Sequence, residues 1–357
     1  MSRSTRALIN TQALSDNLET IRGLTGDARI MAVIKANGYG HGIVQVARAL
    51  RAADAYGVAR VDEARALRQA GIEKPVVMLE GFQDAEELKS VGELSLDAVL
   101  HHGKQLALLE DHEGKPLRCW LKLDSGMHRL GFPLAQTQGV LGRLEQLDSV
   151  AKPLILMTHL ACADDRHNPM TKHQIHDFAQ AVDGLDLERC VVNSAGLLAF
   201  PDACLDWVRP GIMLYGISPF PDDTGLDHGL KPVMTLESTL IAINQLRKDE
   251  PVGYGATWRA PEDMLVGVAA IGYGDGYPRH ARSGTPVLVN TQRCSIVGRV
   301  SMDMVSLDLR NAVDANVGDR VVLWGEGLPI EEIARHADMI PYELVCGVTP
   351  RVEFVYP

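Results

Sequence analysis

A chain of 357 residues is too long for one small domain, and its 46% apolar residues supply ample material for a buried core. Charged residues at 23% are ordinary for a globular protein, and 46 acids against 35 bases leave a net charge of -11. That acidic surplus argues against duplex nucleic acid as a partner, because such affinity comes mainly from neutralising phosphates. The opening MSRSTRALIN lacks the apolar stretch of a signal peptide. No run approaches the length of a membrane span, so a cytoplasmic protein without membrane contact is expected.

Eight apolar runs rich in Val, Ile and Leu occupy the first two-thirds of the chain: RIMAVIKA (29–36), AYGVAR (55–60), PVVMLEG (75–81), LDAVLHH (96–102), LRCWLKLD (117–124), LILMTHL (154–160), CVVNSAG (190–196) and WVRPGIMLYG (207–216). Continuous runs of this kind read as strands buried on both faces. Stretches with helical periodicity lie between them, such as VDEARALRQAG, with acids near its start and Gly at its end. Eight strands alternating with helices predict a (β/α)8 barrel over residues 1–231. After about Leu236 the helical stretches give way to STLIAIN, LVGVAAIGYG, TPVLVN, CSIVGRV, DMVSLDL and DRVVLWG, separated by turn residues. These predict a β-rich C-terminal domain over 232–357, interrupted by one short helix, IEEIARHA (330–337). Residues 1–10 contain RALIN, a strand-like piece able to pair with that β domain.

The six cysteines (Cys119, Cys162, Cys190, Cys204, Cys294 and Cys346) form no C-x-x-C pair, so they read as reduced and mostly buried thiols. His173 and His176 lie three apart but supply only two ligands, and no metal is expected.

Active sites of (β/α)8 barrels lie at the C-terminal ends of the strands. The first run ends on Lys35, followed by ANGYGHG, and the fifth leads into Asp124-Ser125-Gly126-Met127-His128-Arg129. The sixth ends on His159, the seventh on Asn193-Ser194, and the eighth on Arg209-Pro210-Gly211-Ile212. One lysine at a strand end more often snorkels than reacts. Polar groups converging from five strands favour carbonyl or imine chemistry on an anionic cofactor. Lys35 is the Schiff-base candidate. Ser194 and the Gly211 and Ile212 amides suit a phosphate, which barrels often bind after strands seven and eight. Arg209 would then face the ring of the cofactor.

The motif VIKANGYGHG resembles the cofactor-lysine motif of the alanine racemases, which are pyridoxal-phosphate enzymes of fold type III. LKLDSGMHRLG, HLA, NSA, RPGIMLYG, GYGATW, IGYGDGYPR, GRVSMDM and PYELVC follow in the family's order over essentially the whole chain. The resemblance implies interconversion of L- and D-alanine, for peptidoglycan precursors or for alanine catabolism. It implies Lys35 as the pyridoxal 5'-phosphate lysine and one acid/base group, and Tyr254, from the other subunit, as the second. Tyr39, Ser194, Gly211, Ile212 and Tyr342 resemble phosphate contacts, with Asn193 beside them. Arg209 resembles the partner of the pyridine nitrogen, and His159 the link from that arginine to the catalytic tyrosine. Arg129 resembles the residue at the phenolic oxygen and, with Met302 and Asp303, the substrate end. Lys122 matches the position that the family often carbamylates. Asp275 and Arg279 resemble entrance residues. The family site is shared across a homodimer.

Racemisation removes the α-proton on one face and returns a proton on the other, so two opposed groups suit it. Lysine and tyrosine start with pKa values of about 10, and each needs a downward shift to work near neutrality. A racemase for another small amino acid such as serine, a decarboxylase on the same plan and a non-catalytic cofactor binder are the alternatives. Tyr254, the GRVSMD segment and the large β domain favour racemisation.

Overall fold

A computed structural model describes residues 5–357. The chain forms two compact units: Ser15–Leu214, and the described part of Met1–Leu14 together with Tyr215–Pro357. Residues 215–231, expected in the barrel, belong to the β-rich unit.

In the β-rich unit, the N-terminal strand β1 (Arg6–Ile9) pairs as its sequence suggested. The barrel strands are β2 (Arg29–Val33), β3 (Ala55–Val58), β4 (Val76–Met78), β5 (Asp97–Leu100), β6 (Leu117–Asp124), β8 (Val150–Met157), β9 (Glu188–Asn193) and β10 (Trp207–Arg209). A two-residue strand, β7 (Phe132–Pro133), runs parallel to the end of β6. The eight barrel strands are parallel neighbours in the order β5-β4-β3-β2-β10-β9-β8-β6, and β5 pairs with β6 to close the ring. All eight coincide with the apolar runs.

The barrel interior is filled from every strand by Met31, Ala55, Val77, Val99, Trp120, Ile155, Met157, Cys190 and Trp207. It is a packed core, not a pore. Trp120 and Trp207 meet edge to face at 5.1 Å. Their indole N–H groups donate to Asp97 Oδ2 (3.1 Å) and Glu188 Oε2 (2.8 Å), so neither buried donor is left unmet. Arg29 lies 4.4 Å over the Trp207 ring and pairs with Glu188. Asp97, Glu188, Trp207 and Arg29 all start their strands, so this polar plug seals the N-terminal end and leaves chemistry to the opposite end.

The second unit is built on the 13-residue strand β11 (Met234–Leu246). The remaining strands are β12 (Pro251–Val252), β13 (Trp258–Arg259), β14 (Met264–Ala269), β15 (Pro286–Val289), β16 (Gln292–Val297), β17 (Val305–Asp308), β18 (Arg320–Trp324) and β19 (Glu353–Val355). Antiparallel pairing runs β14-β17-β16-β15-β18-β11 and returns from β11 to β14, closing six strands into a ring. β1 extends it, antiparallel to β11 and parallel to β19. Two features differ from the expectation. A second helix, Pro341–Gly347, follows Ile330–Ala337, and VEFVYP contains a strand. The helix has Pro at its first position, where the missing N–H costs nothing. The strand is three residues long, too short for alternation to reveal it.

Trp120→Ala should remove the barrel plug and leave the Asp97 carboxylate without its indole donor. A stability loss of about 3–5 kcal/mol is expected in denaturant unfolding monitored by far-ultraviolet circular dichroism.

Candidate functional site

β2 stops at Val33, and Lys35 opens a five-residue turn, Lys35–Tyr39. Ala36, Asn37, Gly38, Tyr39 and Gly40 all have φ between 50° and 77°. A left-handed turn of this length is costly for L-residues, at roughly 1–2 kcal/mol for each non-glycine position. Local bonds hold it. The Gly38 and Gly40 amides donate to Ile34 O (2.8 Å) and Ala36 O (2.9 Å), and Asn37 Oδ1 accepts from the Ile43 amide (3.0 Å). The buried His41 ring places Nδ1 2.7 Å from Tyr39 O, and burial pushes its pKa down to about 4. Gly38 is needed here, since a Cβ would lie 2.9 Å from Val46 Cγ2.

The turn brings the Tyr39 hydroxyl against Gly211. A Cβ at residue 211 would lie 2.5 Å from Tyr39 Oη. The Gly211 amide donates to Ser194 Oγ (2.9 Å), and Tyr39, Ser194 and Ile212 are buried. Tyr39, Ser194, Gly211 and Ile212, drawn from three strand ends, therefore form one small hydroxyl-and-amide cradle. The Asn193 side chain caps the helix Ser194–Ala199 by accepting from the Gly196 amide at 2.9 Å.

Cations gather beside the cradle. Arg209 is buried, and its Nη2 donates to Thr158 O (2.7 Å), Val191 O (3.2 Å) and His159 Nδ1 (3.2 Å). Its Nη1 reaches Cys190 Sγ at 3.3 Å. Desolvation, with the charges of Arg209, Lys122, Arg129 and Lys35, holds His159 well below the ordinary histidine pKa. His159 is therefore neutral at pH 7 and accepts through Nδ1, which leaves the proton on Nε2. Lys122, buried inside β6, has its pKa lowered to about 8 by desolvation and by Arg209, Arg129 and Lys35. Arg129 is exposed, on the loop after β6. Asp124 shapes that loop by accepting from the Gly126 and His128 amides, both at 3.0 Å. Lys35, Lys122, Arg129 and Arg209 thus place four cations around one neutral imidazole, an environment that attracts and orients small anions.

In the β-rich unit, Tyr254 sits on a tight turn after Gly253 and is 72% exposed. Met302 and Asp303 are exposed on the loop before β17. The Gly272–Asp275 segment lies directly on that loop, with the Tyr273 and Gly274 amides donating to Ser301 O (3.0 Å) and Met302 O (2.8 Å). A Cβ on Gly272 would come within 2.2 Å of Ser301 O. Arg351 joins the two segments, pairing with Asp275 (3.2 Å) and Asp303 (2.6 Å). Tyr342 is half-buried on the helix Pro341–Gly347, and Arg279 is exposed. His173 and His176 lie on the helix Met170–Ala181, and no group of three or more metal-ligating side chains occurs among the described residues. Arg351 and Thr158 carry no signal in the sequence, because nothing in their local pattern separates them from ordinary surface or strand residues.

A closed parallel barrel with a lysine turn, a hydroxyl-and-amide cradle and a cluster of cations at one mouth defines a (β/α)8 enzyme for small anionic ligands. The comparisons with known proteins go further. Residues 9–219 match the family model "Alanine racemase, N-terminal domain", and residues 233–356 match "Alanine racemase, C-terminal domain". Alanine racemases of Nitrosococcus oceani and Shewanella sediminis are 53% and 51% identical, covering 97% of this chain and 98% and 97% of their own. The crystal structure of the biosynthetic alanine racemase from Pseudomonas aeruginosa has a TM-score of 0.96 at 42% identity, covering both chains completely. The structure of the alanine racemase from Acinetobacter baumannii has a TM-score of 0.93 at 36% identity, again over both whole chains. The chain belongs to the alanine racemase family, and it is an enzyme.

Lys122 gives a pH signature. A lysine that titrates near 8 when folded and near 10.5 when unfolded contributes stability that is complete above pH 10.5 and lost as pH falls through 8. Lys122→Met lacks this contribution. In carbon-dioxide-free buffer its stability advantage over the wild type should be largest near neutrality and shrink as pH rises from 8 to 10.5. Unfolding curves at several pH values check this, and a constant difference would contradict the shift.

Proposed function

We infer that this chain interconverts L- and D-alanine with pyridoxal 5'-phosphate carried on Lys35. Family membership over the whole chain supports the reaction. The observation that supports the cofactor is the cradle beside Lys35, where a Cβ at Gly211 would strike the Tyr39 hydroxyl. Tyr39, Ser194 and the Gly211 and Ile212 amides would hold the phosphate, with Tyr342 joining them. Arg209 would face the ring nitrogen and Arg129 the phenolic oxygen. When bound, the cofactor supplies a conjugated ring that spreads the electron pair left by the departing α-proton.

The chain's own groups do the rest. Lys35 Nζ moves a proton on one face of the α-carbon, and Tyr254 Oη moves one on the other. Arg129, with Met302 through its amide and Asp303, orients the substrate carboxylate. Arg209 keeps its proton, being an arginine among carbonyl acceptors, and so withholds it from the ring nitrogen. Lys122 has a substantial neutral fraction near pH 8, and a neutral amine is the form that adds carbon dioxide. Its carbamate would offset the crowded positive charge and orient Arg129.

The exposure of Tyr254 supports a homodimer in which the tyrosine of one chain completes the barrel of the other. The D-alanine formed serves peptidoglycan synthesis, or the reverse reaction serves alanine breakdown. The site lies in a protein with no helix, among the described residues, long and apolar enough to cross a membrane. A cytoplasmic enzyme is the reading that fits best.

Circular dichroism of L-alanine with purified enzyme should decay to zero, and a persistent signal would refute the reading. Lys35→Ala and Tyr254→Ala should each be inactive, and mixing them should restore partial activity once subunits exchange. No recovery after proven exchange would refute the shared site. Arg209→Glu offers the ring nitrogen a carboxylate that favours its protonation. It should raise the ratio of transamination to racemisation. Pyruvate release measures it.

A further inference from the structure

We propose that Gln174, on the helix Met170–Ala181 outside the barrel, is a positioning residue for the His159–Arg209 pair. The proposal rests on the racemase reading for its catalytic consequence and on geometry for its placement. Gln174 is almost wholly buried, at 1% exposure. Its Nε2 donates to His159 O (3.0 Å) and reaches Ser125 Oγ at 3.5 Å, while its Oε1 accepts from the Ala161 amide (2.9 Å). Ser125 Oγ in turn lies 2.8 Å from Thr158 Oγ1. One amide therefore joins the segment 158–161 after β8 to the segment 125–126 after β6. A Cβ on Gly126 would stand 3.3 Å from Gln174 Cγ, so the second loop also presses against this side chain.

The clamp bears on the site because both contacts to Arg209 Nη2 from β8 and its extension come from the clamped segment. They are Thr158 O (2.7 Å) and His159 Nδ1 (3.2 Å). The imidazole can accept from the guanidinium only while it is neutral and shielded. The charges facing it are Arg209 on β10, Lys122 on β6, Arg129 on the loop after β6, and Lys35 after β2. Each repels a proton from His159, but water entering a loosened loop would weaken both shielding and repulsion. Gln174 holds that loop closed from behind without touching the site.

The test uses the holoenzyme with 13C-labelled histidine, the His159 signal being assigned by its loss in His159→Asn. Gln174→Met preserves volume and removes both polar arms. In the wild type the His159 midpoint should lie well below the ordinary histidine range. In Gln174→Met its midpoint should rise by about one unit or more toward the ordinary value, as shielding is lost. In alanine racemisation, kcat should fall about tenfold with KM altered less than about twofold, as expected for lost orientation. Phe178→Leu, on the same helix and equally buried, serves as the control for a general loss of packing. It should lower Tm without moving the histidine midpoint. The proposal fails if Gln174→Met leaves either the midpoint or kcat at the wild-type value, or if Phe178→Leu reproduces both changes. If the wild type does not racemise alanine, the functional reading falls and the His159 midpoint alone decides the placement of Gln174.

Discussion

Like charge held together is the constraint on which the rest of the barrel mouth depends. Lys35, Lys122, Arg129 and Arg209 lie close enough for the other three to depress the pKa of Lys122. Two unit charges about 7 Å apart repel by about 2 kcal/mol at an effective dielectric of 20. Such a cluster persists only because the fold enforces it. Arg209 is gripped by carbonyl oxygens of Thr158 and Val191, on neighbouring strand ends, and Lys122 is built into β6. The Cys190 thiol and the neutral His159 imidazole complete the grip. Binding an anion relieves the repulsion, so the energy of folding the cations together returns as affinity for a phosphate or a carboxylate.

The second strained element serves the same end. The left-handed run from Ala36 to Gly40 contains three residues other than glycine. It persists because the surrounding bonds over-determine it, as backbone strain at functional sites commonly does. Its product is the direction of Tyr39, whose hydroxyl lies where only glycine fits at position 211. Lysine and tyrosine are thus set at the two ends of one rigid turn. Their separation depends on backbone geometry rather than on flexible side chains.

Strand positions were legible in the sequence, and side-chain networks were not. Each barrel strand buries both faces, so RIMAVIKA or LRCWLKLD reads as a strand without knowledge of its neighbours. The strand-end rule then brings out Lys35, His159, Ser194 and Arg209 together. The left-handed turn left only its glycines as a signal, because the bonds that hold it, from the Gly38 amide to Ile34 O and from the Ile43 amide to Asn37 Oδ1, form only in the folded chain. Gln174 was invisible for a different reason. It sits in HQIH (173–176) between histidines, and a polar residue on a polar helix reads as solvated until the facing loops are placed. β19 is short, and its pairing with β1 joins opposite ends of the chain.

The choice of arginine at position 209 makes the other assignments consistent. A carboxylate there would be attracted by Lys35, Lys122 and Arg129 and would cancel part of the field that keeps His159 neutral. Arginine adds to that field instead. It cannot be deprotonated at working pH, so its interaction with His159 requires the imidazole to accept, which fixes the tautomer. The proton of His159 then sits on Nε2, where the imidazole can donate it. Charge crowding and the histidine tautomer therefore follow from one residue at the end of one strand.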